Sequence, residues 1–330
     1  FAVFGLAYPK VEQYYTLTDS LPDDMTGKVG TEKLKEDFHM ASSIFVIVDE
    51  NLSAEKIQKM DAEIKNMDGI TSVLGIEEFI GAGVPQNMLP QDLMDVFVVN
   101  GHKMILVNSD YKAGTDEANA QMNALSEVVK KYDSTGVITG EAPMTKDLIE
   151  VANIDFQNVN WLSVVLVFLI IAISFKSLSI PVLLVASIES AIIMNMAIPY
   201  FSGTVIPFIA SIVIGTIQLG ATVDYAILMT TRFKEELNRG HSRKEAAQIA
   251  IENCSRSIMT SGLTFFAATI GVSFISKMEL LTSICIMIAR GALISMVVII
   301  FVLPCLLILC EPVIRKTTIG WMKNKKAKEA

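Results

Sequence analysis

Two hydrophobic patterns divide the chain. In residues 11–157 apolar residues come in short runs broken by polar ones, and from residue 158 onward they come in long runs. In the first region, 41–49 (ASSIFVIVD) is a β-rich run, and 70–76, His102–Ser109 and 136–139 are three more. Residues 54–66 place Ile57, Met60 and Ile64 at helical spacing. Residues 115–132 predict a second helix, with Thr115 as N-cap and Asp116 and Glu117 in its first turn. The order β-α-β-β-α-β predicts the split βαβ, or ferredoxin-like, α+β arrangement. A longer insertion, punctuated by Gly81, Gly83, Pro85 and Pro90, follows the second strand. Its Met88, Leu89, Met94 and Phe97 read as core, with an apolar groove as the other reading.

Beyond residue 158, five runs each approach the ~20 residues that cross a hydrocarbon core. They are 159–175, 180–201, 205–229, 258–275 and 289–310. Residues 144–160 read as helical and extend the first span upstream. Residues 280–288 read as a short interfacial helix before the last span. Residues 1–8 read as the tail of one more hydrophobic helix, giving six spans with the polar region between the first and the second. The expected plan is 1–10, the end of a truncated transmembrane helix; 11–157, the α+β domain; 158–312, a five-helix transmembrane domain; and 313–330, a basic tail. The fold class expected is an α-helical multi-pass membrane bundle with an α+β domain outside it.

Charge orients this plan. Residues 11–157 hold 11 Lys/Arg against 26 Asp/Glu, and residues 158–330 hold 15 against 9, so the net −8 is an acidic domain offset by basic loops. Lys176, the loop 230–256 (Arg232, Lys234, Arg239, Arg243, Lys244, Arg256) and the tail (Arg315, Lys316, Lys323, Lys325, Lys326, Lys328) fall on one side of the alternation. Basic loops stay in the cytoplasm. The acidic domain is then extracytoplasmic, and the C-terminus lies on the cytoplasmic side of the cell membrane. Within 230–256 the third span continues to Asn238, Gly240 breaks it, and Ser242-Arg243-Lys244-Glu245 has the pattern of a capping box. The helix it opens reads either as an amphipathic helix at the cytoplasmic interface or as a solvated connector.

Several chemistries find no foothold. Cys254, Cys285, Cys305 and Cys310 all lie in the apolar half, so the polar domain has no disulfide framework. His39, His102 and His241 form no metal-ligand spacing. No glycine-rich phosphate loop or nucleophile elbow occurs, which argues against an enzyme and against ATP-driven work. No cofactor and no nucleic-acid partner are expected. The acidity of the domain also disfavours strongly anionic cargo there, because like charges repel.

What remains is charge inside the spans. An ionisable group within a span is costly and marks a candidate site. Asp224 lies in the third span and Glu189 at the middle of the second. A carboxyl group in apolar surroundings can bind and release a proton under working conditions. Thr216, Gly220 and Asp224 form one stripe of the third span, and Gln218, Thr222 and Tyr225 another. A span polar or small on most sides belongs in the centre of a bundle, with Gly215 and Gly220 admitting close neighbours. The fourth span carries a matching stripe of Ser257, Thr260, Ser261, Thr264, Ala268 and Gly271, whose hydroxyls suit the orientation of a carboxylate. The alternative for Asp224, and equally for Glu189, is a structural carboxylate that never titrates. Arg290 reads as opening the last span at the outer interface and snorkelling.

Residues 220–237 (GATVDYAILMTTRFKEEL) resemble the MMPL family of the RND superfamily of proton-driven transporters. The resemblance rests on Gly220, Asp224, Tyr225, Arg232, Glu235 and Glu236, on the Ser/Thr run from Ser257 to Thr264, and on Ala289-Arg290-Gly291-Ala292-Leu293 through Leu303-Pro304. It implies one half of a tandem repeat, with six spans and one ferredoxin-like porter domain per half, in a proton-motive-force-driven exporter of lipids or other amphiphiles. Asp224 and Tyr225 would form the proton relay, supported by Gly220, Ser261 and Thr264, with Glu189 as a candidate second proton site. The coupling ion is the proton. The partner is a second six-helix half, or a second copy of this chain as an oligomer. Motion would pass from the relay along the helix that joins residues 159 and 144. Two other classes stay open: a protein-export component of the same superfamily, and a membrane receptor or scaffold that transports nothing.

Overall fold

The computed structural model describes residues 2–16, 20–76 and 95–321. The insertion glycines and prolines with Met88, Leu89 and Met94, and the tail lysines from Lys323 onward, lie outside the described residues. The chain divides into two compact units, Tyr15–Asn153 and a helical unit of Phe1–Tyr14 with Ile154–Ala330. It begins with α1 (Ala2–Ala7) and the short strand β1 (Gln13–Tyr14). β1 pairs in parallel with β7 (Ile206–Pro207), and this pairing places Val11 to Tyr14 in the helical unit rather than in the polar domain expected to start at residue 11.

The polar unit opens with α2 (Thr26–Phe38) and continues through β2 (Ser42–Asp49), α3 (Ala54–Lys65), β3 (Ile70–Leu74), β4 (Val98–Val99), β5 (His102–Ser109), α4 (Asp116–Tyr132) and β6 (Val137–Gly140). Strict alternation on β2 buries Ile44, Val46 and Val48 and leaves the residues between them half-exposed. That buried face meets Ile105 and Val107 of β5, Ile57, Met60 and Ile64 of α3, and Met122, Leu125 and Val129 of α4 in one core. The strand order is β3-β5-β2-β6, and each neighbouring pair is antiparallel. Thr115 caps α4, its hydroxyl accepting from the Ala118 N–H at 3.2 Å. Asp133, just past α4, accepts from the Asp49 and Thr135 N–H groups (2.8 and 2.9 Å) and from the Thr135 hydroxyl (2.7 Å). Burial works to raise the Asp133 pKa, but these hydrogen bonds outweigh it and hold the carboxyl below its usual range.

The helical unit holds the long helices α5 (Glu141–Phe175), α6 (Ser179–Ser202), α7 (Phe208–Arg239), α8 (Arg243–Ile275) and α9 (Glu279–Val297), and α9 continues through a π-helical turn (Val298–Val302) into α10 (Leu303–Thr317). Five stretches, with 279–317 counted as one, are long and apolar enough to cross a membrane among the described residues. α5 starts in the polar unit and ends in the helical one.

Three expectations are corrected here. Residues 280–288 are not a separate interfacial helix, because 279–317 runs unbroken. Pro304 cannot donate a hydrogen bond to the preceding turn, and the wide π turn just before it absorbs that defect. Residues 230–256 are not an amphipathic loop but the tip of a helical hairpin. Gly240, at φ +100°, closes α7, and the Ser242–Glu245 capping box starts α8, which then has nothing to break it before Ile275. The segment from residue 313 is not all free tail. α10 runs to Thr317, Thr318 bridges Ser177, the Ile319 N–H donates to the Lys176 carbonyl at 3.0 Å, and Trp321 is buried against Phe233.

Candidate functional site

α7 carries polar residues on two faces with opposite fates. Gln218 and Thr222 point into the bundle, at 5% and 1% exposure. Thr216, Gly220 and Asp224 lie on a face left exposed by the described residues. Of the two polar stripes, the described residues enclose that of Gln218 and Thr222 and leave that of Thr216, Gly220 and Asp224 exposed. Gly220 and Gly215 have no atom near where a side chain would begin, so they admit no close neighbour from this chain.

The open face extends onto α8. Thr260, Ser261 and Thr264 are exposed on that helix, as is Ala268. Tyr225 follows Asp224, and its hydroxyl reaches the Ser261 hydroxyl at 2.9 Å, joining the two helices. Thr264 instead returns its hydrogen bond to the Thr260 carbonyl of its own helix at 2.7 Å. Tyr225 and Ser261 thus join α7 to α8, and Asp224, one residue before Tyr225 and exposed, makes no hydrogen bond or ion pair among the described residues, with Gly220 one turn away. Glu189 stands apart on α6. It is half-buried, its Oε1 has no hydrogen-bond partner, and no hydrogen bond or ion pair among the described residues links it to Asp224.

The buried face of α7 belongs to a network absent from the sequence reading. The Asn195 amide of α6 donates to the Gln218 carbonyl oxygen at 2.9 Å and to the Met287 backbone carbonyl at 3.0 Å. Gln218 donates to the Ser295 hydroxyl at 2.9 Å. Arg290 donates from Nε to the Asn195 side-chain oxygen at 2.8 Å and from a terminal nitrogen to the Asn195 backbone carbonyl at 2.9 Å. Arg290 therefore does not snorkel at a helix start. It sits three turns into a continuous helix and ties α9 to α6. Gly291, the next residue, lets the pair close, because a Cβ there would lie 2.6 Å from both Asn195 Nδ2 and Gln218 Oε1. The signal for this cluster lay in Asn195, Gln218 and Arg290 each standing in an apolar run. It was obscured because Arg290 was used to mark a span boundary.

A second charged cluster closes the end of the α7–α8 hairpin. Glu236 is almost fully buried and faces Arg232 at 2.8 Å, Arg239 at 2.7 Å and His241 at 3.4 Å. Glu235 pairs with Arg232 at 3.2 Å. A buried carboxylate with this many partners fixes geometry, and removing one partner is costly. The cluster fixes the last turns of α7 and the turn that follows it. Among the described residues no group of three His, Cys, Asp or Glu side chains could hold a metal ion.

Comparison with known proteins follows this geometry. The MMPL family profile matches residues 19–329. YdgH of Bacillus subtilis is 26% identical over 263 residues, covering 77% of this chain and 28% of YdgH. ActII-3 of Streptomyces coelicolor is 26% identical over 225 residues, covering 64% of this chain and 30% of ActII-3. MJ1562 of Methanocaldococcus jannaschii is 23% identical over 280 residues, covering 77% of this chain and 70% of MJ1562. The match thus spans less than a third of the first two relatives. All three are named as membrane proteins, and none of the names states a substrate. The chain belongs to the MMPL family, and five of its described helical stretches are long and apolar enough to cross a membrane.

Proposed function

We propose that this MMPL-family chain forms one half of a proton-driven exporter of lipids or other amphiphiles, with Asp224 as the proton-accepting group. The observation that carries the reading is the uncovered edge of the α7–α8 pair, where an acid inside a span stands next to a tyrosine hydrogen-bonded to the neighbouring helix. A carboxylate there is tolerated only if it is functional or covered by further protein. A second six-helix half, or a second copy, would cover it and bring its own acid to the same interface.

In this reading a proton from outside adds to the Asp224 carboxylate and gives the neutral acid, removing one negative charge from the interface between halves. Tyr225, anchored to Ser261, holds the hydroxyl beside the acid and links its protonation to the spacing of α7 and α8. Loss of the proton to the cytoplasmic side restores the charge and the first arrangement. Gly220 keeps the face flat for the partner helix, and Thr264 lines it one turn beyond Ser261. Glu189, whose Oε1 lacks a partner, is assigned a second proton site.

The polar unit is assigned to the extracytoplasmic side as a ferredoxin-like porter domain. Its antiparallel order β3-β5-β2-β6, with a helix in each crossover, supports that assignment. The basic residues at the α7–α8 hairpin and the end of α10 support a cytoplasmic position for that end of the bundle. The continuity of α5 between the two units supports it as the route by which movement reaches the porter domain.

The test is transport of a labelled lipid in proteoliposomes holding the full-length protein, with and without an imposed proton gradient. Wild type should export only with the gradient. Asp224→Asn, at equal insertion, should fall to the level seen without a gradient. Gradient-independent activity, or full activity in Asp224→Asn, would return the chain to the receptor or scaffold class.

A further inference from the structure

Three cations from two distant segments share one cavity at the end of the bundle that holds the α7–α8 turn. Arg243 and Lys244 come from the first turn of α8, and Arg315 comes from the last turn of α10. With Leu237, His241, Ser242 and Glu311 they line an open pocket of about 450 Å³. Not all of this charge is free. Glu311, nearly fully buried, forms an ion pair with the Arg243 Nε at 2.7 Å without a well-aligned hydrogen bond, and His241 faces Glu236 at 3.4 Å. Lys244 and Arg315 make no ion pair among the described residues, and both are exposed.

The placement runs against local preference. A helix N-terminus carries partial positive charge, and acids rather than bases are favoured in its first turn. α8 nevertheless puts Arg243 and Lys244 there, facing a third cation across the cavity. The capping box occupies the Ser242 and Glu245 N–H groups, so the N–H groups of Arg243 and Lys244 keep no intrahelical acceptor. Like charges gathered on a concave wall repel one another, and an anion in the cavity removes that cost while accepting from the free donors. Exposed apolar residues also lie close to the cavity. Leu309 and Val313, on the same helix as Arg315 and within two turns of it, are exposed apolar residues at the bundle surface.

We propose that this pocket binds a phosphate-bearing anion, supplied by the headgroup of an anionic phospholipid in the leaflet on that side. Lys244 and Arg315 contact the phosphate oxygens, and Arg243 holds the wall in place through Glu311. The inference rests on membrane insertion and not on transport.

The test uses full-length wild type and the double variant Lys244→Gln/Arg315→Gln, which leaves the Arg243–Glu311 pair intact. Retained lipid is measured by native mass spectrometry after exchange into mixed phosphatidylglycerol and phosphatidylcholine. Thermal stability is measured with added inorganic phosphate against chloride at equal ionic strength. Wild type should retain phosphatidylglycerol preferentially, and the double variant should bind it on the order of tenfold more weakly. A control, Lys176→Gln/Lys316→Gln, removes the same charge at the same end of the bundle but outside the pocket, and should keep the preference. Stabilisation by inorganic phosphate without a lipid preference, lost in the double variant, would support the phosphate site and assign it to a soluble phosphate ester. Equal retention of both lipids with no response to phosphate would overturn the proposal. So would equal loss of preference in the control, which would reduce the effect to diffuse surface charge.

Discussion

The two polar faces of α7 differ in how completely their own chain satisfies them. On the inner face Gln218 joins Asn195 and Ser295 and, through Asn195, Arg290, and Thr222 donates to the Gln218 backbone carbonyl at 2.6 Å, while the buried Ser211 and Thr230 hydroxyls of the same helix find no partner among the described residues. On the outer face Asp224 and Gly220 are open, and Tyr225 alone reaches across to α8. A buried polar group without partners costs more than its hydrogen bonds return, so the inner face is built for stability. The outer face gains no such return from the described residues, and in the proposed relay its acid has a partner and a chemical role. Polarity inside a span is therefore not one signal. Whether the chain closes around it separates structure from function.

The comparison makes graded predictions. The largest effect is expected from Asp224→Asn, which should abolish gradient-driven transport while leaving the thermal midpoint within about 1 °C of wild type, because the side chain makes no contact that folding needs. A large stability loss in this variant, measured in detergent, would move Asp224 to the structural class. Asn195→Leu should do the reverse on stability. It strips Arg290, Gln218 and the Met287 carbonyl of one hydrogen bond each, leaves the Arg290 bond to the backbone carbonyl of residue 195, and a loss of about 2–4 kcal/mol is expected in unfolding titrations.

Two glycines sharpen the contrast. Gly291→Ala places a methyl against Asn195 and Gln218 and should cost about 1–3 kcal/mol. Gly220→Ala meets nothing within this chain and should change its stability by less than about 0.5 kcal/mol, yet impair transport once the second half packs there. If Gly220→Ala leaves transport intact, the outer face is not a close helix–helix interface. The smallest effect on transport is expected for Tyr225→Phe, which removes one exposed hydrogen bond to Ser261 worth about 0.5–1 kcal/mol and should slow transport rather than abolish it.

Much of the fold was legible because each element had a simple period. The alternation in Ser42–Asp49 and the capping signals at Thr115 and Ser242 led directly to β2, α4 and α8. α2 was not read, because Val29, Leu34 and Phe38 form no buried stripe and the helix buries none of its residues. The length of 279–317 was missed because Arg290 was taken as the opening of the last span, whereas Asn195 partners it inside a continuous helix. Of the candidate site, Asp224, Tyr225 and Ser261 were legible from spacing on two helices. That Gly220 faces open space and Gly291 is the tightly packed glycine was not, since spacing gives a stripe but not which stripe another helix covers.

The most direct test is infrared difference spectroscopy of the full-length protein as pH is stepped across the working range, comparing wild type with Asp224→Asn. The account predicts a carboxyl C=O band that appears in wild type on acidification and is missing in the variant. Identical difference spectra from the two proteins would show that Asp224 takes up no proton, and would contradict the relay.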